Sequence, residues 1–136
     1  MNAARAIPLL IKFKTSTPLG MRTFEEGVEV SGVEHRYSSA RRFAQQSKRK
    51  LFLVREKRNK RDPHAIRVMG KCSHWLFKRK KCIGYVPSDV ARQLVEAELV
   101  DRVEARLSLI WIQDRNYMGI RFDIVGPKSD FEKYCT

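Results

Sequence analysis

Alternating apolar residues over most of the chain, one short amphipathic helix, and turn residues set between apolar runs together predict a mainly β protein with short helices. The expected architecture is α+β, a small antiparallel β-barrel whose closure removes exposed strand edges. With 136 residues the chain is long enough to bury a core and too short for two ordinary domains. A hydrophobic content of 43% excludes disorder throughout. The formal charge of +13 is unevenly placed: residues 36–61 hold eleven Lys and Arg against the single acid Glu56, and residues 71–81 hold five against none. Such a concentration marks a polyanion-binding face. There is no apolar run of about 18 residues and no basic amphipathic helix, so nucleic acid is favoured over a membrane.

Residues 1–26 read as an N-terminal arm or first strand around Ile7–Ile11, 27–126 as the barrel domain, and 127–136 as a tail. Val28, Val30 and Gly32 alternate with Glu29, Ser31 and Val33, a strand expected to end near His35-Arg36-Tyr37. Gly32 within it marks a bulge or a close backbone approach. Residues 38–48 form a short helix or loop with Ser38 or Ser39 available as N-cap. Lys50 to Glu56 and His64 to Met69 are strands joined by a polar turn. In that turn Asn59 and Asp62 can fold onto backbone N–H groups, and Pro63 drives Asp62 out of the helical region. Residues 70–81 read as a basic hairpin or insertion, and Cys82 to Pro87 as a short strand. Ser88 caps a helix over Asp89–Ala97, with Val90, Ala91, Leu94 and Val95 on one face and Asp89 placed where the helix dipole favours an acid. Val103 to Trp111 and Tyr117 to Ile124 alternate on either side of a polar turn, forming a long hairpin that ends at Gly126-Pro127.

The segment Arg55-Glu-x-x-Asn59-x-x-Asp62-Pro-x-Ala65-Ile-x-Val68 is followed by Ile83-Gly-Tyr-Val-Pro87 and by a helix opening Ser88-Asp-Val-Ala91. Together with the upstream Val30-Ser-Gly32-Val33, it resembles the HIRAN domain, over about residues 27–125. That domain occurs at the N-terminus of fork-remodelling helicases and as a standalone module in bacteria and phages. The resemblance implies an OB-like β-barrel that binds single-stranded DNA and, in the helicase members, captures a free 3′ end. It assigns Asp62 to the terminal 3′-OH and Asn59 to holding the nucleotide, and it matches Arg36-Tyr37 to an Arg-aromatic pair at the first strand's end. The family's aromatic before the aspartate is replaced by Arg61, whose guanidinium plane can stack on a base or meet a phosphate.

The residues themselves leave alternatives open. Asp62, amid Arg58, Lys60 and Arg61, is a poor phosphate ligand but a good acceptor for a terminal hydroxyl, or else it and Asn59 only brace the turn. Tyr37 and Tyr85 stack bases or line the barrel wall. Arg36, Arg58, Lys60 and Arg61 are the expected phosphate contacts; Lys78 to Lys81 are contacts or a solvated loop, and Trp75 with Phe77 a platform or an apolar hairpin face.

No cofactor or metal is expected. Cys72, His74, Cys82 and His64 match no zinc spacing, the odd cysteine count fits a reducing intracellular compartment, and no P-loop is present. The expected function is a non-catalytic module that grips single-stranded DNA, its 3′-OH end included, in repair, replication or mobile-element processing, with a helicase or nuclease partner acting in trans. A metal-dependent nuclease is the alternative, but Glu34, Glu56 and Asp62 are not placed together by the strand pattern. An RNA-binding or partner-docking domain using the same basic face is the third.

Overall fold

The computed structural model describes residues 9–14, 16–45, 49–72, 80–114 and 117–136. Among them, seven strands divide between two antiparallel sheets. The larger has the order β1-β6-β7-β2, built from β1 (Leu9–Lys12), β2 (Met21–Glu29), β6 (Glu104–Asp114) and β7 (Tyr117–Pro127). The smaller is a meander of β3 (Arg49–Arg55), β4 (Ile66–Cys72) and β5 (Lys81–Tyr85). The protein is therefore mainly β with short helices, and no ladder closes the two sheets into one barrel among the described residues. An isolated bridge joins them: Ser31 N donates to Tyr85 O and Tyr85 N to Ser31 O, both at 2.8 Å.

Gly84 makes that junction sterically possible. Its φ is +156°, and a Cβ there would lie 2.4 Å from Val30 Cγ1 and 2.5 Å from Ser31 O. Gly32, by contrast, has open space where its Cβ would be and a left-handed φ of +75°. It turns the chain out of the strand and into a 3₁₀ turn, Val33–Arg36, that runs on into α1 (Tyr37–Gln45). This corrects the expected first strand, which stops at Glu29; Arg36 ends the 3₁₀ turn and Tyr37 opens the helix.

Helix α1 lays Ala40, Phe43 and Ala44 on the core and turns Arg41 and Arg42 outward. Phe43 sits on β4, where Gly70 leaves it room: a Cβ there would come within 2.7 Å of the ring. Helix α2 (Ser88–Glu96) follows Pro87, which takes the N-cap position without a side-chain hydrogen bond, so Ser88 begins the helix instead of capping it. The last segment, α3 (Phe131–Cys135), buries Tyr134 against Phe24 with ring centroids 5.4 Å apart. The core between the layers is filled by fully buried Phe43, Ile66, Val68, Ile83, Leu94, Ile110, Ile120, Phe122 and Ile124. Among the described residues no helix is long and apolar enough to cross a membrane. The insertion expected at 70–81, with Trp75 and Phe77, falls largely outside the described residues.

Candidate nucleic-acid interface

The register of the small sheet fixes the candidate site. Arg55 pairs with Ile66 and Arg67 with Tyr85, so the β3–β4 turn and the end of β5 emerge on the same side. The Ser31–Tyr85 bridge brings the Gly32–Tyr37 segment alongside.

Within the turn, local polar chemistry holds the backbone. Asn59 Oδ1 accepts from Arg61 N at 2.9 Å and Asp62 N at 3.0 Å. Asp62 Oδ1 accepts from His64 N at 2.9 Å, and Glu56 N donates to Ala65 O at 2.8 Å. The three that Asn59 and Asp62 accept are side-chain-to-backbone bonds of the kind that lets Asn and Asp hold turns.

Glu56 ties this turn to the sheet. Its carboxylate accepts from Asn59 Nδ2 at 2.9 Å, from the Tyr85 hydroxyl at 2.9 Å and from Arg67 Nε. The Arg67 guanidinium, then the Tyr85 hydroxyl, hold its carboxyl below the usual glutamate range, and Arg67 is raised in turn. Sequence reasoning treated Glu56 only as a carboxylate for cleavage. The signal for its structural part was present: it is the lone acid in a run of eleven cations.

The expected site residues separate into two groups. Asn59, Asp62 and Tyr85 are half-buried, and Tyr85 and Asn59 are bonded through Glu56. Arg36, Arg58, Lys60 and Arg61 are exposed, and among the described residues their side chains make no ion pair or hydrogen bond. Tyr37 is half-buried and packs against the core. No hydrogen bond among the described residues reaches Asp62 Oδ2. The turn thus carries one carboxylate oxygen without a hydrogen bond among the described residues, close in sequence to the exposed Arg58, Lys60 and Arg61.

A model of the HIRAN domain matches residues 26–129. The chain belongs to the HIRAN domain family. HIRAN domains are DNA-binding domains. No curated protein and no solved structure matches the chain. Among the described residues no three His, Cys, Asp or Glu side chains cluster as a metal site; the Cys72 side chain and His74 lie outside them.

Proposed function

We propose that this HIRAN domain is a non-catalytic module that grips single-stranded DNA at its 3′ end. Asp62 Oδ2 accepts the terminal hydroxyl, Asn59 keeps the turn in shape, and Arg36, Arg58, Lys60 and Arg61 meet phosphates. Arg61 and the Tyr37 and Tyr85 rings provide stacking surfaces. The observation that carries this reading is the division of labour at Asp62: Oδ1 is occupied by the turn while Oδ2 has no partner among the described residues. A terminal hydroxyl is the one donor of a strand end that an internal phosphodiester lacks. The module would serve repair, replication or mobile-element processing beside a helicase or nuclease.

Fluorescence anisotropy tests it with three labelled oligonucleotides, bearing a 3′-OH, a 3′-phosphate, or no end because they are circular. The free 3′-OH should bind best. Asp62→Asn retains an oxygen for His64 N and replaces the acceptor at Oδ2 with a donor, so the turn persists and the preference goes. A hydrogen bond to a charged group is worth roughly 1.5–3 kcal/mol, so the loss should be about tenfold to a hundredfold. Equal binding of all three by the native protein would refute end capture. Competition with RNA of matching sequence tests the choice of DNA.

A further inference from the structure

A second feature lies on the other side of β3. Among the described residues this strand is the outer member of its sheet, with β4 as its neighbour, and β1 pairs with β6 from Leu109 to Ile112, Phe13 N reaching Ser108 O just beyond. The strand edges thus left face one another across a groove of about 660 Å³ that runs along Arg49–Val54 and past Val103–Leu107. It is cationic and aromatic. Arg49 lies over the Phe13 ring at 5.1 Å and Lys80 over the Phe52 ring at 4.1 Å, with Lys50 alongside. Of the two acids in its lining, Glu104 is already bonded to Arg106 at 2.6 Å.

Two donors there lack acceptors. Arg49 Nε and Arg106 Nε are buried and have no hydrogen-bond partner among the described residues. Closed off from solvent, these two nitrogens do not meet a ligand themselves; the exposed ammonium groups of Lys50 and Lys80 in the same lining do. A lining rich in donors and ring faces calls for a ligand rich in acceptors and flat surfaces. A phosphodiester strand with unstacked bases has both, whereas an acidic peptide brings carboxylates and further N–H donors.

We propose that this groove is a second single-stranded DNA site, carrying the 5′ side of the strand whose 3′ end is held at the turn; the proposal rests on that reading of Asp62. The groove ends close to the turn along the chain: Val54 lines it, and the turn begins two residues later at Glu56. Seven-residue β3 gives it a length of roughly 23 Å.

The test is binding of 3′-OH oligonucleotides of about 4 and about 12 nucleotides, spanning the site sizes common for one OB-type domain. The native protein should bind the longer strand at least tenfold better. Lys50→Glu with Lys80→Glu, both exposed positions, should abolish that gain and leave the shorter strand unaffected. The salt slope on the longer strand should fall by about 0.7 for each phosphate that is no longer neutralised. The same charge change at Lys128 and Lys133 should act weakly and equally on both lengths.

No gain with length, or an equal loss from both double variants, overturns the groove. Displacement of the longer strand by a poly-glutamate peptide as effective as unlabelled DNA overturns it in favour of an acidic-peptide site. Failure of end capture is distinct: 3′-OH and 3′-phosphate strands would bind equally while the length dependence stayed.

Discussion

The two ends of the protein use their acids in opposite ways. At the C-terminal end, acids neutralise cations and close the surface: buried Asp130 accepts from Arg102 Nε at 2.5 Å with Lys133 at 3.7 Å, and Glu25 accepts from the Tyr134 hydroxyl at 2.7 Å. Even the exposed Arg22 there has a partner, its guanidinium 3.4 Å from the Phe131 ring centre. At the β3–β4 turn, Glu56 and Asp62 bond backbone, Asn59, Tyr85 and Arg67, and leave Arg58, Lys60 and Arg61 without partners among the described residues. Positive charge is plentiful in this chain. Where its acids are committed decides which of it faces a ligand.

The difference between the two ends is most easily erased at the junction of the sheets. Gly84→Ala forces a Cβ onto Val30 and Ser31 O at a φ that disfavours side chains. The expected cost is about 3 kcal/mol or more, read as a large fall in Tm and loss of DNA binding together.

Glu56→Gln acts on the turn alone. Gln can still accept from Tyr85 but gives up the charge facing Arg67, so chemical denaturation should show a loss of about 1 kcal/mol. The carboxyl of Glu56 is lowered in the folded protein, so its contribution is present above the ordinary glutamate range and lost as pH falls through its folded value. The stability gap between native protein and variant should therefore shrink toward acid pH. A gap constant from pH 7 down to about 3, below the ordinary Glu value of about 4.3, would contradict the network.

Tyr134→Phe tests the opposite end. It removes the hydroxyl from Glu25 and should cost on the order of 1 kcal/mol while leaving oligonucleotide affinity unchanged. Burial, then the bond to Glu25, raises this phenol above its ordinary value. The contribution is complete below about pH 10 and fades as the pH climbs beyond it. Loss of DNA affinity in this variant would show that the two ends are not independent.

Much of the turn was legible because its chemistry is local. Asn59, Asp62 and Pro63 act within a few residues of themselves, and their spacing is a property of the chain alone. The Glu56 network was hidden because it depends on register: Arg67 and Tyr85 come together only when β4 and β5 pair. The first strand was misread through Gly32, since a glycine in an alternating run fits a bulge as well as the left-handed turn found here. Among the described residues the expected barrel is not closed, and closure was hard to read for a related reason. Closure is a matter of whether distant edges meet, and alternation says which face of a strand is apolar without naming its neighbour. The long hairpin and α2 were readable because each carries its period over nine residues or more.

The pair of backbone bonds between Ser31 and Tyr85 also stitches the larger sheet to the smaller one. On one side of the stitches stand Arg36 and Tyr37; on the other, Tyr85 and the turn. A strand of DNA held by both sides, as proposed above, would span those stitches and act as a splint. Its arrival should be felt by two amide protons, those of Ser31 and Tyr85, whose exchange with solvent deuterium should slow far more than that of amides in the middle of either sheet.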